Sequence, residues 1–289
     1  MFRSRLFVAA LLAALVAAPA AGQALPNIAL AQVRYSTLKS TARPAGDLKG
    51  EIDAIDKALG DALRDGRVGE ARRLLAKGIT LLSNRPWTDL AEFASSLVVR
   101  ADRVFVDPAT PYTIRVEQIY APSLELAAAP VAHVRLCQVA APGQGGGARV
   151  GPIEKDFGSY QGLARDLRES PFIVDLDLAG VPDGRHIVEV VLLNGERTLG
   201  TCSLTIETRA RLDARLASLE QGVAALPAVL AASVRADVRY PADYIRKVNR
   251  GRVEIGSFDA DREVTAAEAA LAALFGTLPL NLPKSAFHG

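Results

Sequence analysis

The stretch 172–178, Phe-Ile-Val-Asp-Leu-Asp-Leu, followed by Arg185-His-Ile-Val-Glu-Val-Val-Leu-Leu-Asn-Gly-Glu-Arg-Thr-Leu-Gly-Thr-Cys-Ser-Leu-Thr-Ile-Glu-Thr208, sets the reading of the fold. In its first part Phe172, Val174, Leu176 and Leu178 alternate with Ile173, Asp175 and Asp177. A period of two buries one face of a strand and wets the other, as in an antiparallel sheet. Asn194-Gly195 between the two later runs predicts a type I′ hairpin turn, which needs positive φ at both central residues. Pro182-Asp183-Gly184 supplies the turn before it.

Working outward, strands are expected at 103–107, 112–120, 131–139, 172–178, 185–193 and 198–208. So many short strands with frequent turns describe a two-sheet sandwich. Its Ig-like character is limited, because an immunoglobulin domain sets a core tryptophan between its cysteines, whereas Trp87 precedes both. Cys137 and Cys202 are the two cysteines of the chain and the candidate disulfide. Closing that loop is worth about 4 kcal/mol on the chain-entropy account. Cys202 shares parity with the inward Leu204 and Ile206, while Cys137 shares parity with His133 and Arg135. Either a bulge shifts the register or the pair does not join.

Before the strands the period is helical. Leu48, Ile52, Ile55, Leu59 and Leu63 form one stripe; Ala71, Leu74, Leu75, Ile79 and Leu82 form a second after Gly66. Pro86-Trp87 opens a third, with Leu90, Phe93, Ala94, Leu97 and Val98 inward. After the strands, helices are expected from Leu212 to Leu226, from Val229 to Val238, after Tyr240-Pro241 to Val248, and from Ala266 to Phe275. Thr265-Ala-Ala-Glu268 reads as a capping box for the last of these.

Arg3 and Arg5, the apolar run Leu6–Ala18, and Pro19 followed by Ala20-Ala-Gly-Gln-Ala24 have the order of a secretory signal peptide cleaved after Ala24. The apolar run is shorter than the roughly 20 residues that a span needs, so no membrane span is expected once the signal is removed. Cleavage removes two arginines and no acid, which takes the formal charge from +2 to zero. A neutral chain with interleaved signs excludes a nucleic-acid partner, because phosphates must be neutralised by lysine and arginine. The expected architecture is α+β and multidomain: signal peptide 1–24, flexible linker 25–46, a helical hairpin region 47–102, an Ig-like antiparallel β-sandwich 103–208, C-terminal helices 209–276 and a disordered tail 277–289. The destination is the periplasm or beyond.

No catalytic, metal or cofactor constellation emerges. There is no GxSxG string for a strained nucleophile turn. His133 and Cys137 are four residues apart on a strand, about 13 Å, too far for a nucleophile–base pair. Asp175, Asp177 and Asp183 read as solvated charge, lacking the glycine and glutamate of a calcium loop. Gly143–Gly147 (GQGGG) reads as a connection, since it feeds no helix bearing a lysine. His186 and His288 read as ordinary imidazoles. Tyr112, Tyr120, Tyr240 and Tyr244 are the candidate contact surface.

The segments SNRPWTDLAEFASSLVVRADRVFVDP (83–108) and YPADYIRKVNRGRVEIGSFDADREVTAAEAALAAL (240–274) resemble the amino-terminal part of large secreted bacterial α/β-hydrolases of the esterase or prolyl-oligopeptidase-like type. The resemblance implies helices, a sandwich and further helices ahead of a catalytic domain that carries the serine, acid and histidine. No catalytic residue carries over, because the chain ends at Gly289. The sequence thus describes an exported, non-catalytic binding or accessory protein with no cofactor and a protein or polymer partner in the envelope. The alternative is the accessory portion of a serine esterase or peptidase whose catalytic domain is missing from this chain.

Overall fold

The computed structural model describes residues 28–140, 149–250 and 258–277. The signal peptide, the glycine run 143–147, His288 and all of the expected tail beyond Thr277 lie outside the described residues. Helices α1 (Ile28–Ala42), α2 (Gly46–Arg64), α3 (Val68–Leu82) and α4 (Asp89–Ser96) come first. Strands β1 (Leu97–Ala101), β2 (Phe105–Val106), β3 (Tyr112–Gln118), β4 (Val131–Ala140), β5 (Arg149–Tyr160), β6 (Phe172–Leu176), β7 (Gly184–Asn194) and β8 (Arg197–Thr208) follow. Helices α5 (Leu212–Ala225), α6 (Ala228–Asn249) and α7 (Ala260–Thr277) close the order. The strands form a three-stranded sheet, β1-β3-β6, and a five-stranded sheet, β2-β8-β7-β4-β5. This is the α+β, helix–sheet–helix organisation the periodicities predict.

The chain divides into two compact units. One comprises the described residues up to Ala101 together with 113–176 and 185–205; the other comprises 102–112, 177–184 and the described residues from Ile206 onward. In the first, α1, α2 and α3 share a core of Tyr35, Ile52, Ile55, Leu59, Leu74, Leu75 and Ile79. Gly78 lets α1 approach α3, because a Cβ there would lie 2.4 Å from Tyr35 Cε2. In the second unit Phe105, Leu219, Val223, Ile245, Phe258, Val264 and Leu271 form a separate core.

Several expectations need correction. Residues 28–42, taken as part of a flexible linker, are helix α1, anchored by the buried Ala31 and Tyr35. The third helix stops at Ser96 rather than running to Val98, and Leu97–Ala101 pairs antiparallel with β3. Branched apolar residues satisfy either period, and here the cross-strand partners decide. Strand β5 is not among the six strands named from alternation, although the sequence after Arg149 reads as strand-like. It pairs with β4 through three register shifts, the mark of bulges. Strand β2 pairs with β8 in parallel, not antiparallel. Helix α6 runs through Pro241 without a break. Helix α7 begins six residues earlier than the capping box proposes. Its start is held by Asp259 Oδ1, which accepts from the Arg262 amide at 3.1 Å.

The β7–β8 turn is shifted by one residue from the expected position. Gly195 and Glu196 are its two central residues. Only Gly195 has positive φ, at +61°, the II′ pattern.

Candidate functional site

Helix α4 starts where Thr88 Oγ1 accepts the Ala91 amide at 3.2 Å, the ordinary task of a threonine N-cap. The turn before it is closed by the Arg85 amide, which donates to the Thr80 carbonyl at 3.2 Å. The helix lies close to β8 because position 200 has no side chain. A Cβ on Gly200 would meet Ala94 Cα at 2.8 Å and Leu97 Cδ1 at 2.9 Å. Beside this contact lies a cavity of about 360 Å³, lined mainly by apolar surface. Its walls are the Arg85-Pro86-Thr88 turn, Leu90, Ala91, Ala94 and Ser95 of α4, and Thr198 to Thr201 of β8.

Side chains alternate along a strand, so a cavity bordered by four consecutive residues meets the strand's edge as well as its face. That edge is open. The outer neighbour of β8 is β2, and the two pair only at Phe105↔Glu207 and Val106↔Thr208. In a two-residue hairpin the flanking residues, here Asn194 and Arg197, form the closing hydrogen-bonded pair. Farther along β8 the Glu207 and Arg209 amides turn outward, donating to the Val104 and Val106 carbonyls at 2.9 Å.

One charge overlooks the cavity. Arg85 is half-buried, and no carboxylate pairs with it among the described residues. Burial first, and then the nearby charge of Arg85, hold the Arg34 guanidinium below its ordinary pKa. Two neighbouring arginines with no counter-charge attract an anion. The second cavity, about 530 Å³, is lined by Tyr35, Lys39, Arg43, Lys49, Asp53 and Asp56, and both of its acids are paired. There Lys39 pairs with Asp56, Lys49 pairs with Asp53, and Tyr35 Oη donates to Asp56 at 2.8 Å.

The residues singled out by sequence fall elsewhere. Tyr112 and Tyr120 are 0% and 5% exposed, so they are core and not contact surface. Tyr120 Oη donates to the Glu92 carbonyl at 3.1 Å. Tyr244 stacks on Phe258 at 4.1 Å, leaving Tyr240, 49% exposed, as the outward tyrosine of the four.

Cys137 and Cys202 are both buried free thiols and do not form the candidate disulfide. Strand β7 lies between the strands that carry them. Two strand spacings put the Cα atoms about 9–10 Å apart, beyond the roughly 7 Å a disulfide tolerates. Burial, aided by the Glu189 charge, pushes the Cys202 thiol up to about 12.

His133 stands between Ser159 Oγ, 2.9 Å from Nδ1, and Asp156 Oδ1, 3.3 Å from Nε2. These are the residue types of acyl transfer. Ser159 and Asp156 are exposed on β5, and Asp156 Oδ1 also accepts the Gly158 amide at 2.7 Å. The trio spans β4 and β5 beside a bulge and lines neither cavity described here, so it serves to lock strand pairing. Buried His186 is held by Glu154 at 2.6 Å. Among the described residues no group of three or more His, Cys, Asp or Glu is placed to hold a metal ion.

The edge cavity escaped sequence reading because its walls come from segments more than a hundred residues apart. The one local signal is Gly200 inside a strand, which marks close approach of another backbone.

No family model matches this chain, and no curated protein matches it. Among solved structures it is similar to the CARDB domain of a Pyrococcus furiosus protein in complex with di-metal ions. That likeness has a TM-score of 0.25 and 6% identity over 39% of this chain and 86% of that one. It is also similar to a Pseudomonas fluorescens alkylpurine DNA glycosylase bound to DNA containing an abasic site analog. Here the TM-score is 0.21, with 14% identity over 65% of this chain and 49% of that one. Likenesses this slight leave the argument to the residues themselves. No described helix is long and apolar enough to cross a membrane.

Proposed function

We propose that this chain is an exported binding or accessory protein that holds a protein partner of the cell envelope in the cleft between α4 and the edge of β8. The observation that carries the reading is an apolar cavity walled on one side by α4 and on the other by residues 198–201 of β8. Its lining offers hydroxyls, one guanidinium and apolar carbons. That chemistry grips and orients but supplies no general base.

The resemblance of residues 83–108 to secreted hydrolases favours one particular setting. That segment supplies Arg85, Pro86, Thr88 and α4, one whole wall of the cleft. In this second reading the partner is an esterase or peptidase catalytic domain, and its GxSxG unit is expected in the nucleotide sequence just downstream of this chain.

The test is site-directed photocrosslinking in cells, with benzoylphenylalanine at Thr198 or, as control, at exposed Ile173. A discrete adduct from Thr198, absent from Ile173 and lost when Ala91→Phe fills the cavity, is the expected result. The same adducts from both positions, or none from Thr198, defeats the proposal. Edman sequencing of the envelope fraction is expected to start at Leu25; an intact Met1 rules out the cleaved signal.

A further inference from the structure

We infer that the cleft takes the C-terminal residue of the partner chain, its apolar side chain seated among Pro86, Leu90 and Ala94 and its main-chain carboxylate held by Arg85. The inference rests on reading the cleft as a binding site and adds what recognises the occupant.

Several polar side chains that line this mostly apolar cavity have no partner of their own. Among the described residues Arg85 makes no ion pair, and the hydroxyls of Thr80, Thr198 and Thr201 make no hydrogen bond. Thr80 is the informative one. A helical threonine can give its hydroxyl to the carbonyl one turn back, as Thr37 and Thr41 do at 2.9 Å. Thr80, in α3 and 8% exposed, lines the cavity with that bond unmade. A buried hydroxyl without a partner costs free energy, so a ligand that meets it gains by binding.

The occupant must therefore bring a carboxylate, hydrogen-bonding groups and apolar carbon together in a small space. The cavity is about 360 Å³, at the small end of ligand pockets, so it suits the end of a chain better than a whole helix or strand. In an extended segment neighbouring side chains point to opposite faces, and an internal Asp or Glu stands about 7 Å from an apolar residue on the same face. A C-terminal residue carries both groups on a single carbon. Its two oxygens match the paired N–H donors of a guanidinium, and the positive field of Arg34 near Arg85 adds attraction. The last N–H and the carbonyl before it suit threonine hydroxyls, which both donate and accept; an acyl tail would leave those hydroxyls unmet.

The experiment uses the mature chain and fluorescein-labelled hexapeptides, Ser-Gly-Ser-Gly-Thr followed by leucine, valine or phenylalanine, each made as the free C-terminal acid and as the amide. Fluorescence anisotropy follows binding. The expected result is saturable binding by at least one acid that weakens about tenfold or more in its amide, and likewise when glycine takes the last position. Arg85→Gln should bring the acid to the affinity of the amide, and Thr80→Val should weaken the acid about threefold or more, with thermal melting confirming both folds. No binding by any acid, or equal binding of acid and amide, overturns the inference. Sodium octanoate that binds in the cleft while the peptides do not overturns it in favour of an aliphatic acid. A Thr198 photoadduct in cells that mass spectrometry maps to an internal stretch of the partner would leave the binding role standing and remove only this account of the occupant.

Discussion

At the scale of single residues, Glu92 shows how far local chemistry can be read and where reading stops. Its place on the third helical stripe is between the inward Phe93 and the N-cap, and nothing in the spacing marks it as buried. The structure leaves it 2% exposed, with Arg73 donating to its carboxylate. Burial alone would push this carboxyl up. Hydrogen bonds from Arg73 and Ser123 together outweigh burial and hold it below the usual glutamate range. A depressed folded-state pKa contributes stability that is present above the unfolded value, about 4.3, and lost as pH falls through the folded one. Glu92→Gln is therefore expected to cost about 1–3 kcal/mol at neutral pH, discounted because Arg73 is partly exposed. The deficit should shrink below pH 4, as urea titrations at pH 7 and pH 3.5 would show; an equal deficit at both pH values would mean the charge is not what matters. The capping box at Thr265 teaches the complementary lesson. Thr265 Oγ1 and Glu268 are real hydrogen-bond acceptors, but they serve Arg215 from the interior of α7, so a correct local chemistry met the wrong partner.

Whole elements were legible wherever one period ran uninterrupted. Helices α2 and α3, with Ile52, Ile55, Leu59, Leu74 and Ile79 inward, and the strands around Val174, Val188 and Ile206 agree with their spacings. The misses share a cause: each depends on a remote partner. Helix α1 buries little beyond Ala31 and Tyr35 and needs Gly78 across from it. Strand β5 alternates poorly because its bulges break the period. Strand β2 is two residues long and survives through support from α6. Asn249 Oδ1 accepts both the Val104 amide at 2.8 Å and the Phe105 amide at 2.9 Å. Asn249→Ala strips two amides of their acceptor, at about 1–3 kcal/mol for an unmet buried group. Hydrogen exchange should show it directly, with Val104 and Phe105 losing protection while Glu189 and Val190 keep theirs. Retained protection at both amides would mean the parallel pairing with β8 is enough by itself.

For the molecule as a whole, the alternation that reveals a sheet does not reveal how the chain is partitioned. The sequence reading divides it serially into helices, strands and helices, but β7 and β8 each contribute residues to both compact units. The hydrophobic core around Ile52 and the one around Ile245 have no residue in common. Ile52 is fully buried and Ile245 is 3% exposed. Removing one methylene from a packed site costs about 0.5–1.5 kcal/mol, a perturbation small enough to leave the fold intact. Substitutions without shared neighbours add to within about 0.5 kcal/mol, whereas those that repack a common core do not. Ile52→Val combined with Ile245→Val is therefore expected to lower the unfolding free energy by the sum of the two single effects, measured by urea titration with Trp87 fluorescence and far-ultraviolet circular dichroism in parallel. A coupling clearly above about 0.5 kcal/mol would show that the two cores are not energetically independent.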